Sequence, residues 1–511
     1  MDTTRHQEIE RKYDVQPATV FPNLVDDALG ATVAQPVRHE LRAVYFDTSG
    51  LDLVRRGVTL RRRTGGDDAG WHLKVPGGPD SRIETRLPLG SDTEHPPTDL
   101  LDPVRAVVRD LPLVPVARVS TRRLEYPLVG GDGRVLAHVC DDEVEAERLG
   151  GASETLRWRE WEVELAEGDL GVLDTVESRL LQAGAAPAAI GSKLARILGD
   201  RAPDQSGDVA GRDLADARAG ELVRALLSDQ VRSLQNRDAG VRAGRPDSIH
   251  KLRITTRRLR STLTTFGPLF DAGGVDGLRD ELRWLGQELA DARDAQVLRE
   301  HLQAVLADEP TELVIGPVAR RIDDELRTAY RSGLGRARRA LDSERYFRLL
   351  DALDQLVAAP ALRPEADEPA RAVLPRLLAR DAKRLRKAVR AVPGGSGDGG
   401  YDLGLHEARK KAKRLRYAAE SAVPVFGGAA EDYARRAKKV QKALGVHQDS
   451  VVARRVLREY GVAAHLAGEN AFSFGRLHGL EQARAVDAER AFRKAWKALP
   501  HKKIGRLFVD R

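Results

Sequence analysis

The pattern of apolar and polar positions changes once along the chain, close to residue 200. Before that point, short segments alternate apolar and polar residues, as in 8–13 and 159–165, and Gly-rich turns separate several of them. A period of two places successive side chains on opposite faces of a strand. The pattern therefore predicts an antiparallel sheet over the first 199 residues, with short helices near 17–29, 98–110 and 170–183.

The second half of the chain has a helical period. From about residue 217 to 499, long Ala-, Leu-, Arg- and Glu-rich stretches repeat their apolar positions every 3.6 residues, and a Gly-rich break falls at 393–400. This pattern predicts an all-helical domain. The expected organisation is a β domain at 1–199, a linker at 200–216, and a helical domain at 217–511 whose two repeats span about 217–390 and 400–500.

The helical half contains an internal duplication. Residues 250–260 and 406–416 both read His-x-x-Arg-x-x-x-basic-Arg-Leu-Arg, an offset of 156 residues. A second match, between 289–297 and 444–452, has an offset of 155 residues. Two matches at nearly one offset predict two copies of one helical unit that bury their apolar faces partly against each other.

Charged residues recur two positions apart in the predicted strands. Glu8, Glu10 and Lys12 share one face of the first strand, and the same spacing relates Arg61 to Arg63. Other pairs with this spacing are Glu84 with Arg86 and Glu162 with Glu164. An unpaired buried charge is very costly, so these faces need each other or water. A closed antiparallel barrel with a charged lumen meets that need, and carboxylate oxygens suit Mg²⁺ or Mn²⁺.

These strands resemble a known family. The Glu8-x-Glu10-x-Lys12 pattern, residues 45–48 (Tyr-Phe-Asp-Thr), Leu60-Arg61-x-Arg63, Glu162-x-Glu164 and Ser192-Lys193-Leu194 are similar to motifs of the CYTH domain, the triphosphate tunnel metalloenzymes. The resemblance covers roughly residues 4–199. It implies an eight-stranded antiparallel tunnel with flanking helices, which holds a triphosphate and uses Mg²⁺ or Mn²⁺ as cofactor.

The resemblance also implies roles for individual residues. The catalytic group would be Glu8, Glu10 and Lys12. The metal ligands would be Glu8, Glu10, Glu162 and Glu164 with Asp141 or Asp142, two alternatives that the sequence leaves open. The triphosphate-binding residues would be Lys12, Arg61, Arg63, Lys74, Glu84, Arg86, Lys193 and either or both of Arg122 and Arg123.

The duplicated segments place basic residues on one helical stripe, because positions three, four and seven apart share a face. The stretch 409–416 holds six basic residues and no acid, which favours an anionic ligand. The duplicated pattern resembles the CHAD domain, the conserved-histidine α-helical family, over about 217–500. That resemblance implies a helical-bundle domain that binds inorganic polyphosphate through His250, Arg253, Arg257, Arg260, His406, Arg409, Lys410, Lys413, Arg416 and Lys439.

Composition narrows the remaining choices. The net charge is +7, which fits an acidic partner, and the single cysteine, Cys140, excludes a disulfide within the chain. The polar first twelve residues predict no secretory signal, and the chain has no apolar run long enough to span a membrane, so we expect a cytoplasmic protein, with association to polyphosphate granules. Aromatic content of 5% without stacking residues in the basic stripes disfavours nucleic acid.

The combined expectation is an α+β multidomain triphosphatase. Its tunnel would hydrolyse inorganic triphosphate or a related triphosphate with a metal ion, and its helical domain would bind inorganic polyphosphate. The tunnel family also includes adenylate cyclases and thiamine-triphosphate hydrolases, but nothing in the sequence selects a base-binding pocket. The alternative is a non-catalytic protein that binds polyphosphate or targets its granules.

Overall fold

The alternating half and the helical half of the sequence form separate units, Met1–Asp208 and Val209–Arg511. The computed structural model describes residues 4–24, 31–78, 81–150, 154–202, 213–271, 273–394, 399–500, 504 and 508. Most of the predicted linker and half of the Gly-rich break lie outside these ranges. In the described part of the chain, no helix is both long and apolar enough to cross a membrane.

The N-terminal unit contains one antiparallel sheet in its described residues. Its strands are β1 (Thr4–Val15), β2 (Ala31–Val33), β3 (Val37–Asp47), β4 (Thr59–Thr64), β5 (Gly70–Gly78), β6 (Ser81–Pro88), β7 (Val114–Gly130), β8 (Val135–Arg148), β9 (Glu154–Leu165) and β10 (Ala186–Pro187). The segments predicted as strands from their alternation all lie inside these elements.

The sheet closes on itself through its first strand. Residues 4–9 of β1 pair with β6, and residues 10–15 pair with β9 on the other side. The closed circuit runs β1-β6-β5-β4-β3-β7-β8-β9, and β2 and β10 pair outside it. Closure removes the sheet edges and creates an inside that can be polar. The eight-stranded antiparallel tunnel expected from the sequence is confirmed.

Among the residues that the structure describes, five α-helices flank the barrel: α1 (Asp52–Arg55), α2 (Thr98–Leu101), α3 (Arg105–Val108), α4 (Leu170–Gln182) and α5 (Lys193–Leu198). The outer face carries apolar side chains, where Tyr13 and Trp161 pack against Leu173 of α4. The short helix α5 instead packs Leu194 and Ile197 against residues of the inner wall. It therefore covers part of the lumen and places its first residue at the cavity.

Two of the three predicted short helices are confirmed. The segments α2 and α3 fall within 98–110, and α4 matches 170–183. The helix expected at 17–29 is wrong for residues 17–24, which form a turn followed by irregular chain, and the rest of it lies outside the described residues. Pro17 and Pro22 explain the failure, because a proline lacks the amide hydrogen and biases the residue before it away from the helical region.

The side chain of Asp47 organises the turn after β3. It is fully buried, and its carboxylate accepts hydrogen bonds from the backbone amides of Thr48, Leu53 and Val54 at 2.7–3.0 Å. These bonds satisfy amide groups at the start of α1, which would otherwise lack partners. In this structure the aspartate of the Tyr-Phe-Asp-Thr motif holds the fold and does not face the lumen.

The C-terminal unit is helical in its described residues. Its helices are α6 (Ala219–Arg242), α7 (Ser248–Thr265), α8 (Asp276–Glu288), α9 (Ala290–Ala307), α10 (Val318–Leu341), α11 (Glu344–Ala358), α12 (Ala370–Arg390), α13 (Gly399–Ser421), α14 (Val423–Phe426), α15 (Gly428–Leu466) and α16 (Phe472–Ala498). The predicted α+β organisation, a β tunnel followed by an all-helical domain, is confirmed.

The duplicated segments occupy equivalent helices. The first match falls on α7 and α13, and the second falls on α9 and α15. The two copies contact each other where α7 packs beside α13, and they share an apolar core in which Leu302 and Ile322 pack with Leu457 and Leu477. The repeat boundaries near 217–390 and 400–500 stay a prediction.

Replacing Asp47 with Ala is expected to destabilise the N-terminal unit by about 2 kcal/mol or more, because three buried amides lose their acceptor. Urea unfolding followed by tryptophan fluorescence measures the change. Asp52→Ala in the same turn is the matched control, since Asp52 is only partly buried and its loss should cost clearly less. Equal stability of Asp47→Ala and the wild type would contradict the anchoring role.

Candidate functional site

The barrel lumen is a charged cavity of about 400 Å³. Side chains from β1, β3 to β9 and α5 line it. The volume lies in the range of small-molecule sites, but the lining is mostly ionic where such sites are mostly apolar. Charge therefore dominates what this cavity can bind.

The carboxylates of the lumen come from neighbouring strands β1, β8 and β9. Glu8 is almost fully buried and shares its face with Glu10, while Asp142 on β8 is completely buried. Strand β9 contributes Glu160, Glu162 and Glu164 at alternate positions. The strand order brings these acids together because β8, β9 and β1 are consecutive neighbours in the closed sheet.

The acids form two groups of donor atoms. His6, Glu8 and Glu164 make the first group, and Asp142, Glu160 and Glu162 make the second. Within each group the donor atoms lie within 4.8 Å of one another. Glu8 Oε2 and Glu160 Oε1 are buried, and each lies in a single ion pair, with Lys74 at 2.5 Å and with Lys193 at 2.7 Å. Oxygen-rich groups with spare lone pairs fit a divalent cation such as Mg²⁺ or Mn²⁺.

Many of the lumen cations come from β4, β5 and β6, which follow β1 on the side away from β9 and β8. Arg61 and Arg63 lie on β4, Lys74 on β5 and Arg86 on β6. Lys74 Nζ lies 2.5 Å from Glu8 Oε2, and Arg86 Nη2 lies 3.3 Å from Glu8 Oε1. These contacts join β5 and β6 to β1, which is the direct neighbour of β6 in the closed sheet.

A second set of ion pairs surrounds Lys193. Its Nζ lies 2.9 Å from Asp142 and 2.7 Å from both Glu160 and Glu162. Arg123 adds two bonds to Asp142 at 2.8 and 2.7 Å, and Lys12 pairs with Glu162 at 2.5 Å. Three carboxylates thus meet three cations in a buried cluster, in which each charge depends on its partners.

The burial of these charges shifts their pKa values. Burial raises the pKa of Glu8 to about 7, although the charge of Lys74 opposes the shift. Burial of Glu84 favours the protonated form. The hydrogen bond from His72 and the charges of Lys74 and Arg61 outweigh this effect, so the pKa of Glu84 is well below its usual range. Burial, with the charges of Arg61 and Arg123, lowers the pKa of Arg63 to about 9. The cationic side of the lumen is therefore short of negative charge.

The helical unit has a basic cluster between its two copies. Arg253 and Arg257 on α7 lie near Arg409 and Lys413 on α13. Burial lowers the pKa of Lys413 to about 6, helped by the charges of Arg257, Arg409 and Arg253. Burial and neighbouring cations also lower the pKa of Arg257. These cations repel one another, and an anion placed between them would relieve the repulsion.

The acids near this cluster repeat with the duplication. Arg253 pairs with Asp294 on α9, and Arg409 lies 3.9 Å from Asp449 on α15. Both aspartates are exposed, and each comes from the second matching segment. The duplication therefore places one arginine–aspartate pair on each side of the basic cluster.

Comparison with known proteins identifies both units. The family model of the CYTH domain matches residues 6–182, and the model of the CHAD domain matches residues 225–458. The chain belongs to the proteins that join a CYTH domain to a CHAD domain. Two sequences of Mycobacterium tuberculosis, the uncharacterized proteins MT2285 and Rv2226, are each 43% identical over 515 residues, which covers 97% of both chains.

Solved structures match parts of this chain. PptA from Streptomyces chartreusis is 25% identical and covers 55% of this chain and 100% of its own, with a TM-score of 0.47. The CHAD domain from the plant Ricinus communis is 26% identical and covers 56% of this chain and 94% of its own, with a TM-score of 0.46.

The CYTH lumen does not receive every residue predicted for it. Asp142 faces the lumen, whereas Asp141 lies on the outer face, where it binds Arg159 at 2.8 and 2.7 Å. Arg123 faces the lumen, whereas Arg122 is largely exposed and pairs with Glu143. The alternation of β7 and β8 decides both cases, because adjacent residues of a strand point in opposite directions.

Glu84 lies beside the lumen cations, and its predicted part in triphosphate binding stays a prediction. It is completely buried, and it contacts His72 and Arg86 and lies 3.7 Å from Lys74 and 3.9 Å from Arg61. A carboxylate held ionised by these groups repels phosphate oxygens. In this structure Glu84 therefore holds Arg61, Lys74 and Arg86 of the CYTH domain, and these three cations line the cavity.

The sequence prediction missed several residues of the lumen, four of which contact residues that it named. Glu160 lies two residues before Glu162, Arg82 two before Glu84, and His6 two before Glu8, so the same alternation could have found them. Arg82 lies 3.6 Å from Glu10. The fourth, Tyr45, lies 3.4 Å from Arg61, whose charge, with those of Lys193 and Lys12, lowers the tyrosine pKa despite burial.

The CHAD domain brings together only part of the predicted polyphosphate set. His250 lies beside Arg293, Arg257 and Arg253, and His406 lies beside Lys410 and Gln448. Arg260 lies instead beside Arg283 and Arg414. Arg416 pairs with Glu420 and stacks on Tyr417, Lys410 pairs with Glu407, and Lys439 is exposed on α15.

Proposed function

We propose that the CYTH domain hydrolyses inorganic triphosphate with Mg²⁺ or Mn²⁺, and that the CHAD domain binds inorganic polyphosphate. The observation that carries the first part is the division of the lumen: cations on β4 to β6 face two acidic groups on β1, β8 and β9. A phosphate chain with bound divalent cations has the complementary arrangement of charge. The CYTH match supports triphosphate chemistry in general terms.

The chain's own residues position the reaction. Arg61, Arg63 and Lys74 offer their donors to phosphate oxygens, while Glu8, Glu164 and His6 would hold a divalent cation. When bound, such a cation supplies charge neutralisation and polarises a phosphoryl oxygen. Phosphoryl transfer depends mainly on positioning and on charge stabilisation, which rigid strands provide. The surrounding ion pairs fix the donors before the ligand arrives.

The CHAD part of the proposal rests on the uncompensated basic cluster. Burial and mutual repulsion lower the pKa values of Arg257, Arg409 and Lys413, and the nearby aspartates lie at its exposed margin. A polyanion of repeating phosphates would supply charge along both α7 and α13. The free-energy gain comes from removing the repulsion as well as from new ion pairs.

One observation favours the alternative that the tunnel binds without turnover. Asp142, Glu160 and Glu162 already pair with Lys12, Arg123 and Lys193, so this acidic group is charge-balanced within the chain. On that reading the protein would be a polyphosphate-binding or granule-targeting protein. Phosphate release separates the two functions.

Phosphate release from inorganic triphosphate, with Mg²⁺ and then Mn²⁺, tests the enzyme directly. The double substitution Glu8→Gln/Glu10→Gln should lower kcat by about 100-fold or more, because it takes the Glu8 carboxylate out of the first donor group and removes the nearest counter-charge of Lys74. Arg122→Gln on the outer face is the control and should keep its turnover. An unaffected double variant would contradict the assignment, and an inactive wild type would favour the binding protein.

The two adjacent aspartates of β8 provide a matched pair. Asp142→Asn should lower kcat by about 10-fold or more, since it weakens the second donor group and the bonds from Lys193 and Arg123. Asp141→Asn should keep kcat and lose only stability, because its partner Arg159 is outside the lumen. Steady-state kinetics and thermal unfolding of both variants measure this. Equal kinetic losses would contradict the face assignment.

Polyphosphate binding by the CHAD domain should depend on pH. Lys413, with a pKa of about 6, is mostly neutral at pH 8, and a bound polyanion would raise that pKa, so binding takes up a proton. Affinity should therefore rise about tenfold from pH 8 to pH 6, measured by fluorescence anisotropy with labelled polyphosphate. Lys413→Gln should show a flatter pH profile, with the remaining slope due to His250 and His406. An identical slope in this variant would contradict the role of Lys413.

A further inference from the structure

The turn between β4 and β5 folds back onto the barrel. Gly65 and Gly66 have φ values of 81° and 72°, which a residue with a side chain rarely adopts. A Cβ at Gly65 would lie 1.9 Å from the carbonyl oxygen of Glu40 on β3. The two glycines therefore allow the turn to lie against β3, and they direct the following residues toward the lumen.

Asp68 of this turn reaches the cationic side of the lumen. Its carboxylate pairs with Arg63 and lies 3.9 Å from Arg86. Its carbonyl oxygen lies 2.9 Å from Nε2 of His72, whose Nδ1 lies 2.9 Å from Glu84. The turn thus lies against His72, while its carboxylate pairs with Arg63 and lies near Arg86, whose closer partners are Glu84 and Glu8.

Asp68 differs from the other lumen acids in origin and in exposure. The acids of the two donor groups project from strands and are held by several partners, whereas Asp68 comes from a turn and its side chain is 25% exposed. Arg63 is buried, and its cationic neighbours are Arg61 and Arg123. In the free protein the carboxylate of Asp68 therefore supplies negative charge where a phosphate group would supply it.

We propose that Asp68 is an internal competitor that sets the affinity and selectivity of the tunnel for its anion. A ligand has to take over Arg63 from this carboxylate, so it binds only if its charge at this guanidinium exceeds that of one carboxylate. Phosphate groups of a triphosphate meet this condition, and singly charged anions do not. The proposal rests on the proposed function, because it concerns the same lumen and the same class of ligand.

The competitor role and a positioning role of Asp68 predict opposite changes in KM when its charge is removed. If Asp68 competes, Asp68→Asn removes the competing charge, and KM for inorganic triphosphate should fall about threefold or more while kcat is kept. If Asp68 instead holds Arg63 in place for the ligand, the same change should raise KM or lower kcat. Asp67→Asn, in the same turn but exposed, is the matched control for a loss of charge.

A double variant tests whether the effect passes through Arg63. Arg63→Gln should weaken triphosphate binding, and adding Asp68→Asn to it should give little further gain, because the competition at that guanidinium is already gone. If Asp68→Asn tightened triphosphate binding as much in the Arg63→Gln background as in the wild type, the Arg63–Asp68 pair would not be the cause of the effect. Asp68→Ser is a second replacement with the same expectation, and thermal unfolding confirms that each variant is folded.

Equilibrium binding separates this proposal from the hydrolysis that it builds on. Calorimetric titration of the full-length variants with inorganic triphosphate, in the absence of divalent cations, needs no turnover, and the CHAD domain is identical in all of them. Tighter binding by Asp68→Asn than by the wild type and Asp67→Asn supports the competitor even if the wild type releases no phosphate. Unchanged or weaker binding by both folded Asp68 variants overturns it, whether or not the enzyme is active.

Discussion

The CYTH domain depends on ion pairs across a closed barrel. A buried charge without a partner is strongly destabilising, yet the lumen buries acids and bases in close contact. Glu162 shows how this is possible, since it meets Lys12, Arg123 and Lys193 at 2.5–2.7 Å. Closure of the sheet brings these partners within reach because β9 and β1 become neighbours. These ion pairs offset the cost of burying the charges of the lumen, and they also fix the positions of its hydrogen-bond donors.

The CHAD domain meets the problem of buried charge differently. One copy of the basic motif lies on α7 and the other on α13. Because these two helices pack beside each other, cations accumulate where the copies meet. In the described residues, the acids that pair with Arg253 and Arg409 are Asp294 and Asp449. Compensation is incomplete, and an external polyanion would complete it. The tunnel contains its own counter-charges, whereas the helical cluster contains too few of them.

Much of this arrangement follows from residue spacing. The alternation at Glu8, Glu10 and Lys12 predicted a charged strand face, and the offset between His250 and His406 predicted a duplicated helical unit. Spacing could not decide between Asp141 and Asp142, because an uncertainty of one residue in register reverses which side chain faces inward. Asp68 could not be assigned, since the direction of a turn residue depends on tertiary contacts such as that of Gly65 with Glu40.

The central claim is that the two walls of the lumen bind the two parts of a metal–triphosphate complex. A crystal structure of the full chain with imidotriphosphate and Mn²⁺, with the anomalous signal of manganese, tests it most directly. The account predicts manganese beside His6, Glu8 and Glu164, and phosphate oxygens on Arg61 and Arg63. The claim would be contradicted if imidotriphosphate bound only to the helical unit. It would also be contradicted if imidotriphosphate filled the lumen without manganese at the acidic side.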